Sequence, residues 1–122
     1  MLLAAAAGRS GVRRLVQVSS MGAGSPPDPG RGEVRAACIT AKTAAEADLR
    51  GRDLHWTVIR PGALTDSPAT GRVRLAVSVP HAQVSRADVA AVLAELVPGP
   101  YRVGETLELT GGDTAIATAV HG

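Results

Sequence analysis

Hydrophobic and polar residues follow two rhythms along this chain, and each change of rhythm marks an element. Residues 1–8 form an Ala-rich run that predicts a short helix, stopped by Gly8 with Gly11 in the following turn. Residues 14–20, RLVQVSS, predict a strand. Leu15, Val16 and Val18 make it apolar on both faces, the pattern of a buried parallel strand. Residues 21–32, MGAGSPPDPGRG, hold four Gly and three Pro, which predicts a loop without regular structure. Over residues 33–50, Val34, Ala37, Cys38, Ala41, Ala45 and Leu49 recur at three and four residues and predict a helix that buries that face. Lys42, Glu46 and Arg50 lie at four-residue steps on another face, where they can pair. Gly51 ends the helix.

Residues 54–60, LHWTVIR, predict a second strand, cut short by Pro61-Gly62. A loop over 63–71 leads to residues 72–78, where Arg72, Arg74 and Ala76 alternate with Val73, Leu75 and Val77 as in a half-exposed or edge strand. Ser85 is placed to cap a helix running to about Val97, with Asp88 near its positive end and Val89, Leu93 and Leu96 inward. Pro98-Gly99-Pro100 breaks it. Residues 103–110 predict a strand, Gly111-Gly112 a turn, and 114–120 a terminal helix capped by Asp113 or Thr114. Strands alternating with helices predict an α/β fold with a parallel sheet. A chain of 122 residues without internal repeats fits one domain, too short for two full mononucleotide-binding halves.

Composition sharpens this picture at a few points. There is no Phe and only one Trp and one Tyr, so the core is aliphatic. Of the thirteen basic residues only Lys42 is a lysine. The net charge of +2 is small and both signs are interspersed, and no aromatic platform accompanies the arginines, which argues against a nucleic-acid partner. One cysteine excludes an internal disulfide and a cysteine-based zinc cluster and fits a reduced, cytoplasmic protein. No apolar run reaches membrane-spanning length, and the short apolar start lacks the basic region of a signal peptide.

The chemistry-bearing candidates are few. No G-x-G-x-x-G, P-loop or G-x-S-x-G segment occurs. His55, His81 and His121 are scattered without metal-ligand spacing, so no metal is expected. Three features remain. Ser19-Ser20 ends a buried strand before a Gly-rich loop, the crevice where open α/β sheets bind ligands; plain strand-end capping is the other reading. Cys38 and Lys42 share one side of the long helix. A lone lysine among arginines suits a site that needs a compact ammonium, although a surface pair with Glu46 would also account for it. Arg60-Pro61-Gly62 exposes backbone at a strand end, either as a ligand wall or as an ordinary terminator.

The segments VRRLVQVSSMGA, AKTAAEADLRGRDLHWTVIRPGALTDSPATGRVRL, VSRADVAAVLAELV and GETLELTGGDTAIATAV carry a resemblance over nearly the whole chain. In this order they resemble the atypical short-chain dehydrogenase/reductases, most closely the small NAD(P)H-binding, NmrA-like and flavin-reductase-like members. The resemblance implies the C-terminal part of a Rossmann-like parallel three-layer sandwich, one partial NAD(P)-binding domain over residues 1–122. The family's Gly-rich βαβ units, which hold adenine and pyrophosphate, would precede Met1. It further implies that Ser20 occupies the active-site serine position. Lys42 then stands at the lysine of the Tyr-x-x-x-Lys motif, with Cys38 at the tyrosine position. Ser19, Lys42, Arg60, Pro61, Gly62 and Ala63 would lie against NADP or NAD, and Met21, Gly22 and Leu64 against the substrate.

Three functions follow as expectations. One is an NAD(P)H-dependent reductase or epimerase, weak or inactive without its other half. Another is an NmrA-like dinucleotide sensor without turnover, favoured by cysteine in place of tyrosine. The last is a half-domain that acts by association, as a homo-oligomer or with the missing half, across an exposed sheet edge. Several hundred Å2 of lost apolar cover would cost on the order of 10 kcal/mol, comparable with a domain's stability. The isolated chain is therefore expected to be unstable or to associate, and to bind a dinucleotide weakly.

Overall fold

The computed structural model describes residues 5–6 and 12–122. Residues 5–6 are helical; the rest of the helix expected over 1–8, and its Gly8 stop, lie outside the described residues. The strands are β1 (Arg14–Val18), β2 (His55–Pro61), β3 (Ala63–Thr65), β4 (Arg72–Ala76), β5 (Gln83–Ser85), β6 (Thr106–Gly111) and β7 (Thr114–Ala115). The helices are α1 (Glu33–Arg50), α2 (Arg86–Leu96) and α3 (Ile116–His121), with a short 3-10 turn at Pro29–Arg31.

The main sheet runs in the order β1-β2-β6-β4-β7, and β3 pairs with β5 in a small parallel sheet. β1, β2 and β6 are mutually parallel, joined by helical crossovers. β4 departs from the expected parallel arrangement: it runs antiparallel to β6, and β7 antiparallel to β4. Its alternating pattern still reads true where the strand is paired. Val73 is fully buried, Arg72 and Arg74 are exposed, and Val77 falls past the strand's end into solvent.

Adjacent residues of a strand face opposite sides, and β2 shows the consequence. Val58 packs with Leu49 and Leu54 under α1, while Ile59 belongs to the larger cluster formed with α2 and α3 through Val92, Leu96 and Val120. The result is a three-layer α/β sandwich with an aliphatic core. β1 is different. It stands at the sheet's edge among the described residues, its side chains are only half-buried, and Val18 is 42% exposed. The expectation of a strand covered on both sides is not met by this chain.

The bounds of α1 match the expected helix and Leu49 is buried as expected, but the rest of its buried face differs. Ile39, Glu46 and Leu49 point inward. Val34, 81% exposed, and Cys38 point outward together with Ala37 and Ala41. The apolar spacing picked a stripe of small residues; the helix is seated instead by two large aliphatic side chains and a buried acid. Other corrections are local. The strand expected over 103–110 starts at Thr106, because residues 97–104 form turns in which Arg102 has φ +56°. Its carbonyl accepts from Thr57 Oγ1 at 2.8 Å, and Gly104 N–H donates to the Trp56 carbonyl at 2.7 Å. The terminal helix starts at Ile116 without a side-chain cap, since Thr114–Ala115 is used as β7. Ser85 caps α2 as expected, accepting from Asp88 N–H at 3.0 Å.

Candidate functional site

The site is built where β1 and β2 end together. Their register sets Val18 beside Ile59. Beyond the strands the pairing continues: Ser19 N–H donates to the Ile59 carbonyl at 2.7 Å and Met21 N–H to that of Pro61 at 3.0 Å. Ser19-Ser20 therefore runs alongside Arg60-Pro61-Gly62. Gly62 in turn donates to the Leu109 carbonyl at 2.9 Å, which ties this end to β6. The carboxyl end of a parallel sheet is where open α/β folds leave a crevice. Here the crevice is a cavity of about 330 Å3 lined by Val18, Ser19, Ser20, Lys42, Pro61, Gly62, Leu64, Arg86 and Val89.

Three sequence segments thus meet around one space, with Lys42 reaching it from α1. The ammonium is half-buried and has no ion pair among the described residues. The surface pair with Glu46 that the spacing allowed does not form, because Glu46 turns inward to other partners. Arg86, also on the wall, is held by Asp66 at 2.6 Å.

Glu46 carried no signal in the sequence beyond its four-residue step from Lys42, yet it organises the site from behind. Its carboxylate is fully buried between α1 and β2. Arg60 donates to it through Nε at 3.0 Å and through Nη2, and Arg50 Nη2 adds a bond at 3.1 Å. Ser19 Oγ is buried and faces the same group; the contact is too loose for a well-formed hydrogen bond. Burial pushes the Glu46 carboxyl up. The hydrogen bonds from Arg60 and Arg50, with the Arg60 charge, outweigh it and hold the group below the usual carboxylate range. The small neighbours Thr43, Ala44, Ala45 and Ala47 leave room for such a side chain to reach the sheet. Arg60 therefore turns its guanidinium to Glu46 and away from the cavity it was expected to line.

The loop after β1 closes over this pair. Met21 and Ala23 are buried, and Gly24 N–H donates to Thr43 Oγ1 at 2.9 Å. Gly24 has φ +85°, and a Cβ there would come within 2.5 Å of Arg60 Nη2. Only a glycine lets the chain pass so close to the guanidinium.

The remaining candidates distribute as follows. Leu64 forms the exposed lip of the first cavity. Met21 and Ala63 line a second cavity of about 130 Å3, which shares Ser20, Pro61 and Gly62 with the first and adds Arg31, Arg35 and His81. Gly22 lies on a third, between the Pro-rich loop and Arg35. Cys38 is exposed on the outward face of α1 and lines none of the three. Among the described residues, no three His, Cys, Asp or Glu are placed to hold a metal, and no helix is long and apolar enough to cross a membrane.

The first cavity thus brings together a hydroxyl, an ammonium without an ion pair among the described residues and a partly apolar wall. A family model described as NAD(P)H-binding matches residues 1–100. YhfK of Bacillus subtilis (strain 168), described as an uncharacterized sugar epimerase, is 32% identical over 115 residues, covering 94% of this chain and 53% of YhfK. A solved structure of a putative NAD-dependent epimerase/dehydratase from Bacillus halodurans is 34% identical with a TM-score of 0.85, covering 98% of this chain and 56% of the other. The oxidoreductase ylbE from Lactococcus lactis is 31% identical with a TM-score of 0.80, at 96% and 54% coverage. The chain spans about half the length of these relatives, and its sheet is that part of their Rossmann-like fold. It belongs to the NAD(P)H-binding family.

Proposed function

We propose that this chain forms the nicotinamide side of an NAD(P)H-dependent reductase or epimerase site. The observation that carries the reading is the meeting of Ser20, Lys42 and Pro61-Gly62, from three separate segments, around one cavity. The donor set fits the nicotinamide riboside end of a dinucleotide. Lys42 offers a free ammonium to the ribose hydroxyls, and Ser19 Oγ is a buried polar atom without a full partner. Val18, Leu64 and Val89 offer apolar surface to the ring. When bound, such a cofactor supplies or takes up a hydride. Ser20 would hold the substrate's oxygen at the mouth of the cavity, and Lys42 would position the ribose and add positive charge beside that oxygen.

Grip on the phosphates is another matter. No G-x-G-x-x-G or P-loop segment occurs in the sequence, so the cradle that binds pyrophosphate must come from outside these residues. Dinucleotide binding by this chain alone is accordingly weak, and turnover requires the complementary half. A second reading, binding without turnover, is favoured by one feature: position 38 holds a thiol where the family's phenol would stand, and that thiol is exposed away from the cavity.

Calorimetric titration of NADPH and NADH, alone and after adding a relative's N-terminal half, tests the proposal. Trp56 sits at the far end of β2 beneath Arg50 and is a poor reporter, so the cofactor's own fluorescence is the better optical signal. Binding is expected to strengthen in the presence of the complementary half and to weaken at least about tenfold in Lys42→Ala. Unchanged affinity in Lys42→Ala would overturn the assignment of this cavity.

A further inference from the structure

We propose that the substrate of this site is an anion, with a carboxylate or phosphate group seated between Arg31 and Arg35 in the second cavity. The inference rests on the dinucleotide reading of the first cavity and names the class of molecule that reacts there.

Charge pairing in the molecule sets these two arginines apart. Arg13, Arg50, Arg52, Arg60, Arg86 and Arg102 each have a carboxylate partner. Arg14 and Arg72 donate to backbone carbonyls. Among the described arginines, only Arg31, Arg35 and Arg74 have neither, and Arg31 and Arg35 converge on one cavity. The 3-10 turn at Pro29–Arg31 and the first turn of α1 bring them together. Arg35 is further located by Gly22, whose missing Cβ would lie 3.5 Å from Arg35 Nη2.

The lining carries no acid. Ser20, Met21, Pro61, Gly62, Ala63 and His81 complete it, so two permanent cations and an imidazole face a space of about 130 Å3 whose own lining supplies no counter-charge, although both arginines also border the third cavity with Asp28. Asp28 is the nearest carboxylate on the adjoining third cavity, and its Oδ1 is engaged by Gly30 N–H at 2.9 Å. Paired guanidinium groups match the planar oxygens of a carboxylate or phosphate in a way that one exposed lysine does not. The two cavities share Ser20, Pro61 and Gly62. An anion held by the arginines therefore leaves the neighbouring carbons of the same molecule beside the Ser20 hydroxyl, next to the space assigned to the nicotinamide.

The test uses the full chain with malonate and inorganic phosphate as probes and malonamide as the uncharged control. Amide chemical shifts at Ser20, Gly22 and Ala63 report on binding. Saturable shifts with malonate or phosphate, none with malonamide, and at least a tenfold loss in the Arg31→Gln/Arg35→Gln double variant are expected. The preferred probe separates a carboxylate from a phosphate substrate. Both side chains are exposed and unpaired, so the variant keeps its fold, checked by circular dichroism. NADPH titration of the same variant distinguishes the two readings. A fall in NADPH affinity would assign the arginines to the cofactor's phosphates and overturn the proposal, as would unsaturable or charge-independent shifts. If NADPH fails to bind even after the complementary half is added, while arginine-dependent malonate binding persists, the anion site stands and the dinucleotide reading of its neighbour falls.

Discussion

Arg60 sets its Nε 3.0 Å from one oxygen of Glu46 and its Nη2 on the other, so that a bidentate pair joins the end of β2 to the C-terminal half of α1. Glu46 is fully buried and Arg60 largely so. Lys42 lies one helical turn before Glu46, and Pro61-Gly62 follow Arg60 directly. The pair thereby holds two walls of the first cavity at a fixed spacing.

Removing one partner leaves the other as an uncompensated buried charge, which typically costs about 3–5 kcal/mol. Glu46→Gln is expected to lose roughly 3 kcal/mol, read as a lower urea midpoint. Replacing both with apolar residues of similar size, Glu46→Leu with Arg60→Met, removes the buried charge altogether and should recover much of the loss. If the double variant is less stable than either single one, the pair is not the source of the stability.

Acid should act on the same group. Glu46 and Asp88 are both held below their usual range. For Asp88, burial pushes the carboxyl up but is outweighed by donation from Gly71 and Thr70 backbone, the Thr70 hydroxyl and Ser85. Asp88 Oδ1 accepts from Thr70 N–H and Gly71 N–H, each at 3.0 Å. A carboxyl depressed in the folded state favours folding at pH above its unfolded value, near 4.3 for Glu and 3.9 for Asp. That contribution is lost as pH falls through the folded-state values. The urea midpoint should be flat from pH 7 to about 5 and drop steeply below about 4. Glu46→Gln and Asp88→Asn should each reduce the steepness. An acid limb unchanged in both variants would move its origin to other carboxylates.

Much of the architecture was legible because short-range rules decided it. Gly51 closes α1, Ser85 opens α2 through its bond to Asp88 N–H, and Pro61-Gly62 ends β2, all within a few residues of chain. Ser20, Lys42 and Gly62 were also legible, since the resemblance supplied their relative order and the parallel register brings them together. The face of α1 was not. Ala37, Cys38 and Ala41 have the spacing of a core stripe, but which stripe faces the sheet depends on Glu46 meeting Arg60, fourteen residues away and on another element. A buried acid reads as surface until its partner is placed. β4's direction and the turn at Arg102 escaped for the same reason, being set by hydrogen bonds to distant strands.

Gly62 offers a test by close approach. An added Cβ would overlap the carbonyl oxygen of Ala82 and touch Met21 Sδ. The oxygen belongs to backbone and cannot swing aside, so the strand end must shift. Gly62→Ala is expected to cost about 2 kcal/mol, seen as a lower melting temperature, and to weaken NADPH and malonate binding together because both cavities share this wall. Gly71, by contrast, has open space where a Cβ would go, with nothing within 4 Å, but its φ of +73° makes alanine strained there, so Gly71→Ala should cost stability without touching either ligand. Equal effects of the two substitutions on binding would refute the shared wall.

The free edge of β1 leads to a prediction about association. Ser19 and Met21 send their N–H groups to β2. Side-to-side alternation then turns Gln17 the same way and leaves Val16 and Val18 with backbone groups aimed outward, where the described residues place no strand. Exposed Val12, Val18 and Val34 add apolar surface on this part of the chain. An unpaired edge of this kind is a template for another strand. In dilute solution the amides of Val16 and Val18 should exchange with solvent much faster than that of Gln17. As concentration rises through the micromolar range, sedimentation should show dimers or larger species while protection at Val16 and Val18 increases. A cooperative monomer at every concentration, with all three amides equally protected, would mean that the edge is already covered within the chain.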